Sequence, residues 1–327
     1  MKVHSDISKL PFFKNAVITI GTFDGVHSGH LQIIEQLKKE AALIDGETVI
    51  ITFHPHPRMV INTKPGANTA EIKLLNTLPE KIELLQKQNV AHLVIVPFTI
   101  EFSEQSPEEY IKDFLVATFQ PHTVIIGYDH HFGKNRQGNY KLLESFQTKF
   151  NFKVKEIPEH VLHHITISST RIRHALEQGD ISTANEYLGY SYFFEGTVIE
   201  GDKLGRTLGY PTANLEIKDK NKLVPSNGVY AVDVSLVDEA IVNGSLNSEH
   251  IVPLQGMMNI GFRPTVGGTK KIIEVHIFDF DKNIYGQKIR VHVKYFLRDE
   301  IKFSGLEALT EQLAADKIHA LELLNKP

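Results

Sequence analysis

The sequence predicts two folds in series: an α/β domain on a doubly wound parallel sheet, then an antiparallel β-barrel or sandwich that ends in a helix. Three observations predict this. In the first half, short apolar runs alternate with amphipathic runs of helix length, the pattern of βαβ units. From about residue 190 the texture changes to β-rich runs separated by turns, with few helical patterns between them. Three polar clusters, "GTFDGVHSGH", "TFHPHPR" and "IIGYDHHFGKNRQGN", each follow an apolar run. That is the carboxyl end of a strand, where ligands of open parallel sheets gather.

The elements follow in order. Val17, Ile18 and Ile20 read as a short buried strand, closed by the turn signals Gly21, Asp24 and Gly25. Leu31, Ile33, Ile34, Leu37 and Ala41 then recur at mostly helical spacing. Next come "ETVIITF", a helical "LPEKIELLQKQ", "VAHLVIVPF", a helical "SPEEYIKDFLVATF", "PHTVIIGY" and a helical "YKLLESFQTKF". A hinge is expected near Gly189, dividing the chain into residues 1–187 and 188–327. Beyond it, "YFFEGTVIEG", "GVYAVDVSLV", "IVPLQGMMNIG", "KIIEVHIFDF" and "QKIRVHVKYFL" read as strands. "LEALTEQLAADKIHALELL" closes the chain as an amphipathic helix, and "VDEAIVNGSLNSEH" reads as a polar hairpin or loop without chemistry of its own.

A chain of 327 residues can hold two cores, and 42% hydrophobic with 23% charged residues is the composition of a soluble globular protein. A net charge of −4 gives no general attraction to nucleic acid. The absence of cysteine excludes disulfides and thiolate–zinc sites. The opening "MKVHSDISKLPFFKNAV" lacks the apolar core of a signal peptide, and no run is long enough to span a bilayer. A cytoplasmic enzyme or binding protein is expected, with no nucleic-acid and no membrane partner.

A strand, a glycine-bearing turn and a helix N-terminus make an anion site, because the first amides of the helix point outward and its dipole favours negative charge. His27 and His30, three residues apart, lie on one face of that first turn and can meet the same anion. No GxxxxGK[ST] and no GxGxxG occurs, so the site is not one of the commonest phosphate loops. A distant partner is "ISSTRIR" at 167–173, where Ser168, Ser169 and Thr170 are helix-capping candidates. Arg171 and Arg173 in a first helical turn oppose the dipole unless an anion is there. Taken singly, the histidines could be ordinary surface or core residues; the context favours a phosphate. His54 and His56 lack an obvious third ligand and are not assigned to a metal.

"GDKLGRTLGYPTANL" runs from Gly201 to Leu215. Gly201 and Gly205 permit backbone to approach a phosphate, and Thr212 and Asn214 face one side of an extended segment. Hydroxyl and amide oxygens of this kind suit Mg2+ bound together with substrate phosphates, although the segment could be only a turn into a strand. In "KIIEVHIFDF", alternation puts Glu274, His276 and Phe278 on one strand face. A carboxylate there either has a task or lies on an exposed face.

These motifs resemble the bacterial bifunctional riboflavin kinase/FAD synthetase family, through "GTFDGVHSGH", "TFHPHP", "ISSTRIR", "PTAN", "EVHIFDF" and "FLRDEIKFSGLEAL". The resemblance runs the length of the chain. It implies a nucleotidyltransferase-type α/β domain over 1–187 acting as FMN adenylyltransferase, and a β-barrel riboflavin kinase over 188–327. ATP, riboflavin and FMN would be the substrates, with Mg2+, in a monomer or weak homo-oligomer. By the resemblance, His27 and His30 attend the α-phosphate of ATP, while Gly21, Phe23, Asp24 and Gly29 shape the nucleotide pocket. Ser168, Thr170 and Arg173 would hold the departing pyrophosphate. Phe53, Pro55, His56, Pro57 and Asp129 would line the flavin side, with a core role for Phe53 equally open. Glu274 would be the general base toward the ribityl hydroxyl, Thr212 and Asn214 would hold Mg2+–ATP near Gly201 and Gly205, and Arg298 is a flavin-side or structural residue.

His130 stands where the family often has an aromatic and Asn139 where it often has aspartate, which leaves the flavin contacts of that loop open. Rival readings are a kinase whose adenylyltransferase half is degenerate, and a non-catalytic flavin- or nucleotide-binding regulator. A class I aminoacyl-tRNA synthetase would also carry an HxGH-type motif, but "ISSTRIR" departs from its KMSKS-like loop and no anticodon-domain texture appears.

Overall fold

Strand and helix patterns of the first half become a parallel sheet in the computed structural model, which describes residues 1–64, 71–158, 167–201, 204–237, 253–265 and 268–326. Its strands are β1 (Lys2–His4), β2 (Val17–Ile20), β3 (Thr48–His54), β4 (His92–Pro97), β5 (Thr123–Gly127) and β6 (Lys153–Ile157). They lie in the order β1-β4-β3-β2-β5-β6, and every pairing is parallel. All four residues of β2 and all five of β5 are buried, as expected of strands covered on both faces. β1 and β6 were not anticipated. Both are sheet edges with exposed residues, so neither carries a continuous apolar run.

The helices of this unit are α1 (Ser28–Leu43), α2 (Pro57–Ile61), α3 (Leu78–Gln86), α4 (Ile100–Ser103), α5 (Pro107–Glu109), α6 (Ala117–Phe119) and α7 (Tyr140–Phe150). α3 starts in a capping box, with Thr77 accepting from the Glu80 amide and Glu80 accepting from the Thr77 amide. The run expected as one helix over "SPEEYIKDFLVATF" holds a π-helical stretch, Tyr110–Val116, between α5 and α6. Tyr110, Ile111, Phe114 and Leu115 of that stretch are all buried.

The strand order reverses at β2: β3, β4 and β1 extend to one side of it, β5 and β6 to the other. The turn after β2 therefore sits at the topological switch point of the sheet, outside the carboxyl ends of the strands. The other two polar clusters follow β3 and β5, the two neighbours of β2.

The chain divides into two compact units, Met1–Ser169 and Thr170–Pro327. α8 (Ser169–Glu177) and α9 (Ile181–Leu188) are bonded into the second. The Ser226 amide donates to the Leu176 carbonyl at 3.0 Å, and Asn185 Nδ2 to the Val293 carbonyl at 2.9 Å. Gly189 ends α9 in the left-handed region, with φ 78°.

The remaining elements are β7 (Phe193–Ile199), α10 (Leu204–Thr207), β8 (Ala213–Glu216), β9 (Gly228–Leu236), β10 (Leu254–Thr265), β11 (Gly268–Ile277), β12 (Lys288–Arg298) and α11 (Leu306–Leu324). The strands form a closed antiparallel barrel in the order β10-β11-β8-β7-β12-β9, closed by β9 on β10. The barrel is thereby decided over the sandwich. α11 packs on it through Leu313, Ala320, Leu321 and Leu324, against Ala231, Met257 and Phe278. Most of the expected polar hairpin "VDEAIVNGSLNSEH" lies outside the described residues.

Candidate functional site

Chemistry-bearing residues of the first unit converge on the turn from β2 to α1. Gly21 continues the sheet, its amide donating to the Ile51 carbonyl at 3.0 Å. Phe23, Gly25 and Val26 then take φ of 47°, 90° and 39°, a tight reversal that sends the chain into α1. His27 is the N-cap of α1, and its Nδ1 accepts from the His30 amide at 3.4 Å. One of the free helix amides expected for an anion is therefore taken by the cap itself. The His27 and His30 rings stack face to face, centroids 3.7 Å apart and planes 16° apart. Phe23 supports the outer member, 4.9 Å from the His30 centroid. A Cβ at Gly29 would come to 3.3 Å from the His27 ring, so glycine lets the cap fold back on the helix.

Burial pushes the His30 imidazole well below its ordinary pKa, helped by His27 and by the cation of Lys81. A neutral His30 is thus the form present at neutral pH, and its Nδ1 is buried with no hydrogen-bond partner among the described residues. Asp24 is buried, its carboxylate accepting from the amides of Leu75 and Asn76 at 3.0 and 3.2 Å. This ties the turn to the segment that leads into α3. The ammonium of Lys81, on α3 and itself buried, donates to the Thr22 carbonyl at 2.7 Å.

Ile167 and Ser169 of the distant segment meet the same turn. Ser169 Oγ donates to the Asp24 carbonyl at 2.8 Å, and the Ile167 carbonyl lies 3.8 Å from where a Cβ on Gly29 would stand. Ser168 precedes α8, whereas Thr170 and Arg173 lie on α8 and belong to the second unit.

On the neighbouring strand, Phe53, next to last in β3, lies inside an aromatic cluster, 5.5 Å from Phe98 and 5.6 Å from Phe102. Phe53 belongs to the buried core of this unit. The His54–Pro55 bond is cis, His56 caps α2 by accepting from the Arg58 amide at 3.2 Å, and Pro57 is the first residue of α2. Asp129 is exposed in the turn after β5. His130 beside it has its Nε2 buried without a partner among the described residues, and burial lowers its pKa to about 4. Asn139 caps α7, its Oδ1 accepting from the Leu142 amide at 3.1 Å, a task aspartate performs equally well.

In the second unit, a cavity of about 230 Å³ opens between α11 and the barrel wall. Gly205, Thr212, Glu274 and Arg298 all line it. A rung of the barrel explains the convergence: Asn214 pairs with Glu274, Glu274 with Asn259, Asn259 with Val229, and Val229 with Arg298. Register partners share a face, so residues far apart in sequence stand in one row. Asn214 is in the row but not on the cavity wall. Gly201 lies against it, since a Cβ there would overlap the Asn214 amide. Gly205 is required for closure of α10, because a Cβ there would strike the Tyr210 carbonyl.

His276 lines the cavity with its Nδ1 2.8 Å from the Pro211 carbonyl, and burial lowers its pKa. Phe278, expected on the same face, packs beneath α11 with its ring centroid 5.6 Å from that of His276. Arg298 is engaged: Nε and Nη2 reach the Asp316 carboxylate at 2.9 and 2.7 Å, with Gln312 Nε2 donating to the same group at 2.9 Å. The guanidinium is held by α11 while it lines the cavity.

Sequence reasoning missed Lys81, Asn259, Glu300 and Asp316. Lys81 carried a readable signal, a charge on the stripe formed with Leu84 and Leu85 at helical spacing. Asn259, Glu300 and Asp316 carried none, since only strand register and helix docking bring them to the cavity.

Residues 10–171 match the family model described as FAD synthetase, and residues 188–324 the one described as riboflavin kinase. A bifunctional riboflavin kinase/FMN adenylyltransferase of Listeria monocytogenes is 38% identical over 304 residues, 93% of this chain and 90% of that protein. One of the same description from Haemophilus influenzae is 36% identical over 303 residues, 93% of this chain and 92% of that protein. A crystal structure titled macrolide-efflux protein, from Streptococcus pneumoniae, superposes with a TM-score of 0.83 at 26% identity, covering 100% of this chain and 99% of that one. Among the described residues no helix is long and apolar enough to cross a membrane.

Proposed function

This chain belongs to the bifunctional riboflavin kinase/FMN adenylyltransferase family, and we propose that residues 1–187 transfer AMP to FMN while residues 188–327 phosphorylate riboflavin. The protein is a transferase with both activities, acting on riboflavin, FMN and ATP. The observation that carries the division is the presence of two separately built sites: a histidine-bearing turn at the switch point of the sheet, and a carboxylate-bearing cavity beside the barrel.

In adenylyl transfer a phosphate oxygen of FMN attacks the α-phosphorus of ATP, the bond to the bridging oxygen breaks, and pyrophosphate leaves. No protein nucleophile is needed, so catalysis consists of alignment and stabilisation of charge. We assign His27 and His30 to the α-phosphate, with Gly21, Phe23, Asp24 and Gly29 shaping the turn that holds them. Ser168, Thr170 and Arg173 are assigned to the departing pyrophosphate on the strength of the motif. Pro55, His56, Pro57 and Asp129 are assigned to the flavin side. Their support is position: they follow the strands that flank β2.

In the kinase half, the ribityl hydroxyl of riboflavin attacks the γ-phosphorus and ADP leaves. Glu274 accepts the hydroxyl proton late in the transfer, because a carboxylate is too weak a base to remove it beforehand. Thr212 and Asn214 would hold Mg2+ that arrives with ATP; neutral oxygens beside one carboxylate fit an ion that keeps its water and phosphate ligands. Bound there, Mg2+ would neutralise phosphate charge. We further propose that the protein works in the cytoplasm as a monomer or weak homo-oligomer.

The test is to incubate the purified chain with riboflavin, ATP and Mg2+ and separate the flavins over time. FMN followed by FAD is expected. FMN alone would retire the adenylyltransferase assignment of residues 1–187, and no turnover would favour a regulator that only binds flavin or nucleotide.

A further inference from the structure

Lys81 is a charge placed where the fold has no packing use for one. It lies on the buried stripe of α3 with Leu84 and Leu85, and only 7% of it is exposed. Burial lowers its pKa, while nearby Asp24 favours the charged form. An ammonium has three donors, and Lys81 uses one, on the Thr22 carbonyl at 2.7 Å; the described residues offer it no second acceptor. Asp24 directs its carboxylate to the amides of Leu75 and Asn76.

A second group of the same turn is in a matching condition: His30 Nδ1 is buried without a partner among the described residues. The two are close enough for the Lys81 charge to act on the His30 imidazole. Two enclosed polar groups, one cationic and both able to donate, are costly to leave unsatisfied. A phosphate oxygen carries the charge and lone pairs to satisfy both.

From this juxtaposition of Lys81 and His30 behind the β2–α1 turn, we infer that the Lys81 ammonium is a further binding residue for the phosphates of ATP in adenylyl transfer. Its bond to Thr22 aims it, and its charge complements His30, which burial keeps neutral. The inference rests on the assignment of the histidine turn to that reaction.

The test compares Lys81→Met and Lys81→Arg with the full-length wild type in FAD formation from FMN and ATP. Lys81→Met is expected to raise the KM for ATP on the order of tenfold to a hundredfold, the loss of a charge-assisted hydrogen bond. The KM for FMN should hold, Lys81→Arg should recover most of the loss, and riboflavin phosphorylation should be unchanged. An unaltered KM for ATP in Lys81→Met overturns the inference. So does an equal loss toward ATP and FMN that Lys81→Arg fails to rescue, which would make Lys81 a structural tie. Should Lys81→Met fail to fold, amine labelling of the wild type, read by peptide mass, decides: saturating ATP should protect Lys81, and labelling that ATP leaves untouched overturns the inference. His30→Ala, run alongside, separates the premise from the inference. If it still forms FAD normally, the turn is not the adenylyl-transfer site at all.

Discussion

His27 and His30 show how one residue type serves two ends within a single turn. His27 spends its Nδ1 on capping α1, and that bond fixes the ring against which His30 stacks. His30 keeps an enclosed Nδ1 and a lowered pKa, so it presents a neutral imidazole. His30→Ala should abolish FAD formation from FMN and ATP while sparing FMN formation from riboflavin. Glu274→Ala should do the reverse when FMN is supplied. Equal loss of both activities in either variant, measured by flavin separation, would contradict two sites. The spacing HxGH was legible because a first helical turn forces residues three apart onto one face. The cap was not, because the choice between presenting an imidazole outward and folding it back depends on side-chain rotamers that sequence does not set.

At the scale of elements, α11 and β12 are joined by the Arg298–Asp316 pair, which is bidentate and largely enclosed. Removing the carboxylate leaves a poorly hydrated guanidinium without its partner. Asp316→Ala should destabilise the second unit by roughly 2–4 kcal/mol, seen as a lower denaturant midpoint at unchanged slope, and should weaken riboflavin binding. The loop after β5 carries a pH signal instead. His130 has a pKa of about 4 when folded, lowered first by burial, with His131 and Arg136 adding to the effect and Asp129 opposing it. The ordinary value is 6.5. Between these values the unfolded chain binds a proton that the folded one refuses. Stability from this group is full above 6.5 and is lost as pH falls toward 4. Thermal unfolding of the first unit should therefore drop between pH 7 and pH 5, and His130→Phe should reduce the drop. A profile identical to wild type would exclude His130 as its source. The helix–strand rhythm that builds these elements was plain in the sequence. The π-helical stretch Tyr110–Val116 was not, since the sequence pattern read as one ordinary helix across it.

For the whole molecule, the consequence of two sites in one chain is separability. Mixing His30→Ala with Glu274→Ala should restore FAD synthesis from riboflavin, because FMN released by the first protein can be adenylylated by the second. Failure of the mixture, when each variant retains its own remaining half-reaction, would mean that FMN passes between sites without release. This experiment uses intact chains and needs only flavin separation.

The sequence alone determined the order of the folds and the three polar clusters that follow β2, β3 and β5. Those features rest on local physics: hydrophobic periodicity, glycine turns and helix-end electrostatics act over a few residues and leave their mark in them. Tertiary structure decided that the second fold closes into a barrel, that Phe53 enters an aromatic core, and that Arg298 is held by Asp316. It also brought Asn259 into the row of Glu274 and buried Lys81 behind the histidine turn. These depend on strand register and helix docking between distant segments, and no local pattern encodes which distant residue will be the neighbour.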